Sequence, residues 1–314
     1  MKAALLLALL LPACAAAKPP ALKSFTLELG GYKRAYHVYV PANLDKTKKH
    51  PLLIILHGGG GTGSRMSALT ANGFEKLARK YGAVLAYPDG LEKNWNDHRG
   101  DANRKAQREN VDDVAFLTEV ADRVLKDFPA DRSRVYVTGI SNGAMMSNTL
   151  ACLAAGRFAA AAPVAGAVPE NLAPLCRPAR PVPLLIISGT EDSLVHWGGG
   201  EVTGPFGKRK FGRTLSVEAG RDLWLEKNSC DRAAVKTIKF DNLKDDGTAV
   251  TWETYGACAG GSEVQFIRVD GGGHTWPGGV QYLPKAVVGR TSREFSATQE
   301  IWSFFMRHTL PPGN

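Results

Sequence analysis

Gly139-Ile140-Ser141-Asn142-Gly143 is the stretch of this 314-residue sequence whose chemistry is plainest. A serine hydroxyl is a weak nucleophile until a base takes its proton, and it must be presented to the substrate. Residues 134–138 before it read as a strand and residues 144–155 after it as a helix, so Ser141 falls on a sharp strand-to-helix turn. The small neighbours Gly139 and Gly143 relieve crowding at such a turn. The helix that begins at Asn142 aims its first amides at the site, where they favour developing negative charge. That charge arises when serine attacks an ester carbonyl, and two backbone N–H groups aimed at the oxygen lower the barrier, each by roughly 3 kcal/mol. One donor is expected from Asn142. The other is expected from His57-Gly58-Gly59-Gly60-Gly61, which follows the apolar run 52–56. There we assign Gly59, with Gly58 as its rival, and place His57 and Gly58 beside the substrate. No Gly-Lys-Ser/Thr follows these glycines, which argues against a phosphate loop.

The nucleophile needs a base, and the base needs an acid behind it. After the apolar run 182–187, Gly189-Thr190-Glu191-Asp192 offers two carboxylates that compete for the acid's place. Three histidines follow: His196, His274 and His308. His196 is too near the acid along the chain. His308 stands in the last turn of the expected final helix, where a cation suits the helix dipole. His274 follows a strand over 264–269 and Gly271-Gly272-Gly273, a loop able to carry an imidazole over a sheet edge. We assign His274 as the base. Trp276, two residues on, is a candidate to stack on an aromatic acid or sugar, ahead of Trp95 and Trp197. The chemistry requires neither metal nor organic cofactor, and no cysteines or histidines are paired at zinc-like spacing.

These residues need a scaffold, and the hydrophobic pattern supplies one. Residues 25–29 and 36–40 alternate around Gly30-Gly31 as an antiparallel hairpin. The runs 52–56, 83–87, 134–138 and 182–187 read as buried strands. Apolar residues recur at helical spacing over 111–128 and again over 296–307. Buried strands alternating with helices predict an α/β fold, with a mostly parallel central sheet and helices on both faces. There is no internal repeat and no linker, so one catalytic domain over 18–314 is expected.

Residues 1–17 read as a signal peptide, with Lys2, an apolar run over 3–11 and Ala15-Ala16-Ala17 as the cleavage site. Leu11-Pro12-Ala13-Cys14 offers a rival lipobox in which Cys14 carries a lipid anchor. Either route predicts a secreted, periplasmic or lipid-anchored protein. Four further cysteines, Cys152, Cys176, Cys230 and Cys258, then suggest two disulfides with three connectivities open. Sequence proximity favours Cys152–Cys176 and Cys230–Cys258. The net charge of +9 is spread over runs such as Lys46-Thr47-Lys48-Lys49, without a basic helical stripe, so nucleic acid is not an expected partner. It is compatible with attraction to acidic polysaccharide or to an anionic membrane face. No membrane span is expected beyond the first segment.

HGGGG, GISNGA, GTED and GGGHTWPGG together resemble the polyhydroxybutyrate depolymerase and feruloyl esterase group of bacterial esterases, over about residues 25–308. The resemblance implies an α/β-hydrolase fold with Ser141 as nucleophile, Asp192 rather than Glu191 as acid and His274 as base. It places the oxyanion loop at His57-Gly58-Gly59 and agrees with a bond between Cys230 and Cys258. Extracellular polymer depolymerases commonly carry a linker and a separate binding domain, which this chain lacks. That departure favours soluble oligomers or aromatic esters over solid polyester. The expectation is a secreted serine carboxylesterase that forms an acyl-enzyme on feruloyl, acetyl or hydroxybutyrate oligomer esters. Two rivals are a serine peptidase of the same fold and a non-catalytic polymer-binding protein on a hydrolase scaffold. The second predicts a missing triad member, and all three are present.

Overall fold

Strand β3, His50–Leu56, shows how the fold is layered. Its run Leu52 to Leu56 is wholly buried. Leu52, Ile54 and Leu56 enter one apolar cluster, and Leu53 and Ile55 enter another on the opposite face. A strand buried on both faces must lie inside a sheet with helices on either side. The computed structural model describes residues 21–207 and 209–312. The expected signal peptide, 1–17, and the rival lipobox reading at Cys14 lie outside them.

The chain opens with β1 (Lys23–Leu29) and β2 (Tyr32–Tyr39), then β3, α1 (Gly63–Leu69), α2 (Gly73–Tyr81), β4 (Val84–Pro88), α3 (Lys105–Arg108) and α4 (Asp113–Asp127). It continues through β5 (Ala130–Ile140), α5 (Asn142–Leu153), β6 (Ala160–Val164), β7 (Leu184–Gly189), β8 (Gly200–Thr203) and β9 (Lys210–Thr214). The last elements are α6 (Val217–Lys227), β10 (Lys236–Phe240), β11 (Ala249–Tyr255), β12 (Val264–Asp270), α7 (Lys285–Val288) and α8 (Ala297–Phe305). Ten strands form one sheet in the order β1-β2-β4-β3-β5-β6-β7-β12-β11-β10. The segment from β4 to β12 is parallel throughout, and antiparallel strands extend both ends. Helices α4, α5 and α6 cover one face through Phe116, Val120, Met146, Leu150 and Trp224. Helices α1, α2 and α8 cover the other through Met66, Phe74, Ile301 and Phe305. The architecture is the expected α/β one.

Several elements escaped the sequence pattern for physical reasons. Strand β6, AAAPV, is nearly all alanine, a residue depleted in strands. It is central all the same, paired in parallel with β5 on one side and β7 on the other and buried along its whole length. Strand β10 is almost wholly exposed and β11 half-buried, and neither carries a clean apolar face. The hairpin β8–β9 is short and polar and stands apart from the main sheet. The final helix stops at Phe305, so His308 is not in its last turn. Its Nε2 instead lies 2.9 Å from Glu263 Oε1. Both disulfides take the pairing that sequence proximity favoured, Cys152–Cys176 and Cys230–Cys258. Among the described residues no helix is long and apolar enough to cross a membrane.

Candidate active site

Four of the six parallel strands end at one rim, and each delivers a predicted residue there. Strand β3 leads into His57 and the glycines, β5 into Ser141, β7 into Asp192 and β12 into His274. The carboxyl ends of parallel strands are where open α/β sheets place ligands.

Ser141 has φ 58° and ψ −121°, a backbone conformation that costs energy for a residue with a side chain. The surroundings hold it there. Its N–H donates to Val164 O at 3.0 Å, and its carbonyl accepts from Met145 N at 2.9 Å. The glycines beside it are there because neighbouring backbone is too near for anything larger. A Cβ on Gly143 would lie 2.5 Å from Leu56 O, and one on Gly139 would lie 2.7 Å from the same atom.

His274 and Asp192 meet in the interior. The Nδ1–H of His274 donates to Asp192 Oδ2 at 2.7 Å, with both side chains almost fully buried. The other oxygen, Asp192 Oδ1, accepts from Leu194 N at 2.9 Å and Val195 N at 2.8 Å. A carboxylate held by three donors fixes the tautomer and leaves Nε2 as the basic nitrogen. Glu191, the competitor, points outward, and its carboxylate lies 3.3 Å from Arg290. The His274 backbone is fastened in turn, its N–H to Val288 O at 2.6 Å and its carbonyl to the Tyr282 hydroxyl at 3.0 Å. Ser141 and His274 line one cavity of about 740 Å³, together with His57, Met66, Leu69, Ile140, Val280 and Leu283.

The glycine loop folds over the nucleophile. A Cβ on Gly58 would lie 3.3 Å from Ser141 Cβ, and one on Gly59 would lie 3.9 Å from Asn142 Cβ. Gly60 N–H donates to Lys93 O at 2.8 Å and Gly61 N–H to Gly58 O at 3.0 Å. The Gly59 amide has no intramolecular acceptor among the described residues. That leaves it available beside the first amide of α5.

Of the expected substrate contacts, the structure places His57 and Gly58 on the cavity wall and Trp276 away from it. Trp276 is fully buried, donates from Nε1 to Thr298 Oγ1 at 2.9 Å and packs edge-on against Phe74. It is a core residue under the histidine loop and does not line the cavity. Trp95 is buried too, donating to His57 O at 2.9 Å, and Trp197 packs against Phe266 at 5.8 Å. His57 lines the cavity, but both its nitrogens are engaged: Nδ1 donates to Gly58 O at 2.8 Å, and Nε2 accepts from Gly90 N at 3.0 Å. Burial pushes its pKa down, so it stays neutral and shapes the loop.

Other functional groups left weak marks in the sequence. The side chain of Asn142 holds the loop after β4, accepting from Trp95 N at 2.8 Å and donating to Asp97 Oδ2 at 2.6 Å. Burial pushes the Asp97 carboxyl up against the opposing effect of Arg99. The exposed apolar residues Val280, Tyr282 and Leu283 form the cavity rim. Their only sequence signal is large apolar residues in a segment with no period.

A serine on a strained strand-to-helix turn, a buried histidine–carboxylate pair and a glycine loop on this sheet define an α/β-hydrolase. Residues 76–171 match the prolyl oligopeptidase family model, which covers the elbow and less than half of the chain. A putative esterase, NocK, from Nocardia uniformis subsp. tsuyamanensis is 30% identical over 283 residues, 88% of this chain and 80% of that protein. Feruloyl esterase B of Piromyces equi is 29% identical over 246 residues, 76% of this chain but 42% of the longer relative. In fold, an acetyl xylan esterase from Aspergillus awamori aligns with a TM-score of 0.53 at 18% identity, covering 77% of this chain and 89% of that one. The chain belongs to the α/β-hydrolase esterase family that includes the feruloyl esterases.

Proposed function

We propose that this protein hydrolyses carboxylic esters through an acyl-enzyme on Ser141. One observation carries the reading: the buried His274–Asp192 pair, 2.7 Å apart, shares a cavity with a serine on a strained turn. His274 takes the Ser141 proton as the hydroxyl attacks the carbonyl carbon, and Asp192 stabilises the imidazolium. The Gly59 and Asn142 amides receive the oxyanion. His274 protonates the leaving alcohol, then activates the water that releases the acid. No step needs a metal or cofactor.

The cavity favours an apolar acyl or aromatic group, because Met66, Leu69, Ile140, Val280 and Leu283 make up much of its wall. That supports feruloyl-type or short acyl esters on polysaccharide, or oligomers of hydroxybutyrate. Two disulfides support work outside the cytoplasm, as a secreted or periplasmic protein.

The test is turnover of p-nitrophenyl acetate, followed by methyl ferulate, acetylated xylan and a hydroxybutyrate trimer. Ser141→Ala is expected to lower kcat by about 10⁴-fold or more while the protein stays folded. Correctly folded wild-type protein that cleaves none of these esters would end the reading. Cleavage of a peptide p-nitroanilide in preference to every ester would favour the peptidase alternative.

A further inference from the structure

Ser141 borders a second chamber, and its chemistry differs from the first. This chamber has a volume of about 420 Å³ and is also lined by Gly59 and Asn142. Its remaining wall carries three arginines, Arg99, Arg104 and Arg209, together with Asn94 and Phe211, and no carboxylate among the described residues. Buried polar atoms of its lining residues are incompletely satisfied. Asn94 is 3% exposed, and its Oδ1 has no hydrogen-bond partner, while its Nδ2 donates to Glu92 O at 2.8 Å. That donation settles the amide's orientation, so Oδ1 is a buried acceptor in search of a donor. It lies beside the oxyanion loop, 3.2 Å from where a Gly59 Cβ would be.

The arginines are unevenly paired. Arg99 is 5% exposed and bonds Asp97 Oδ2 at 2.7 Å, but its Nε has no partner. Arg104 Nε lies 3.6 Å from Asp101 Oδ2, an ion pair too long for a hydrogen bond, and its guanidinium sits 4.6 Å over the Phe211 ring. Its guanidinium nitrogens donate no hydrogen bond among the described residues. Arg209, at the mouth, has no carboxylate within ion-pair distance among them. Arg99 and Arg104 meet two carboxylates, Asp97 and Asp101, which leaves the charge of Arg209 over. Elsewhere on the surface, arginines such as Arg123, Arg134 and Arg213 each meet an acid within 2.8 Å.

We propose that this chamber binds a carboxylate carried by the ester substrate, with a neighbouring hydroxyl of the same group donating to Asn94 Oδ1. The proposal rests on the esterase reading and narrows it to acidic esters. A guanidinium with unused donors, stacked on an aromatic ring, suits a planar carboxylate. Ser141 and the arginines line the same chamber, so the carboxylate belongs to the ester that Ser141 attacks. The apolar cavity is left for the rest of the ester. The carboxylate's source is either the alcohol, such as a uronic acid, or the acyl part, such as a dicarboxylic half-ester.

Two matched pairs distinguish the sources. O-acetyl galacturonate is compared with O-acetyl galactose, and p-nitrophenyl hemiglutarate with p-nitrophenyl valerate. In one pair the acidic member is expected to have a kcat/KM about tenfold higher, mainly through KM, with the preference falling as salt is raised. Arg104→Gln together with Arg209→Gln should bring that ratio close to one, and circular dichroism checks the fold. A wild-type ratio of one or below in both pairs overturns the carboxylate site and leaves the esterase standing. A preference that survives both substitutions overturns it as well. Failure to cleave any of the four esters by protein that turns over p-nitrophenyl acetate or methyl ferulate overturns the carboxylate site alone, and failure on the whole earlier panel as well removes the esterase reading with it.

Discussion

Adjacent carboxylates in one loop have opposite fates, and the difference is the work each can do. Glu191 is exposed and shares a surface ion pair with Arg290, an arrangement worth little in water. Asp192 is buried, filled on one oxygen by two amides and bonded through the other to His274. Asp192→Asn keeps the shape but offers the imidazole an amide, so the wrong tautomer becomes available. Steady-state kinetics on p-nitrophenyl acetate should show kcat down about 10³- to 10⁴-fold with little change in KM. Glu191→Gln in the same assay should change kcat less than about twofold. Comparable losses from the two would contradict the assignment. Trp276 teaches the reverse lesson: two residues from the base, it serves packing, because its ring lies under the loop and its N–H is spent on Thr298.

At the scale of elements, the turn from β5 into α5 is the costliest piece of backbone, and close packing holds it. Gly143 sits where Leu56 O and His57 O approach to 2.5 and 2.6 Å of any added Cβ. Those atoms belong to β3 and the oxyanion loop and cannot swing aside as a side chain could. Gly143→Ala should therefore destabilise the fold by about 3 kcal/mol, read as a lower denaturant midpoint, and should lower activity by moving the loop away from Ser141. An unchanged midpoint would mean that the elbow is looser than its contacts imply. Behind the turn, the Cys152–Cys176 bond ties α5 to the connection that leads toward β7. The nucleophile's helix is thus held at both ends.

For the whole molecule, the C-terminal end is fastened by charge. Glu263, at the entry to β12, accepts from Arg307 at 2.8 Å, His308 at 2.9 Å and Gln265 at 2.9 Å. Burial pushes its carboxyl up, but the bonds from His308, Arg307 and Gln265 outweigh that and bring the pKa down from 4.5 to about 2. A carboxyl lowered in the folded state stabilises fully above its unfolded pKa. That stability is lost as pH falls from 4.5 toward 2. Glu263→Gln should cost roughly 2 kcal/mol at neutral pH, and the deficit should shrink through this acid window. Thermal melts of both proteins from neutral pH to about pH 2.5 check it. A constant difference across that range would remove the electrostatic account. The protein's net charge of +9 has the sign that the proposed acidic ester would meet on its way to the arginine-lined chamber.

Much of this was legible along the chain because it is local. Buried strands show as apolar runs, the elbow as Gly139-Ile140-Ser141-Asn142-Gly143, and the base as the one histidine carried by glycines after a strand. Long-range packing decided the rest. Strand β6 is alanine-rich and yet sits buried between β5 and β7, and no strand propensity announces that. Trp276 and Glu191 look as chemical as their neighbours until burial separates them. The second chamber draws on Asn94, Arg99, Arg104 and Arg209, polar residues in two loops whose pattern says only that they avoid the core. Hydrophobic burial depends on each residue's own period and can be read from the sequence. Hydrogen-bond satisfaction depends on which distant groups arrive, and only the folded chain determines which donors and acceptors are left open to a substrate.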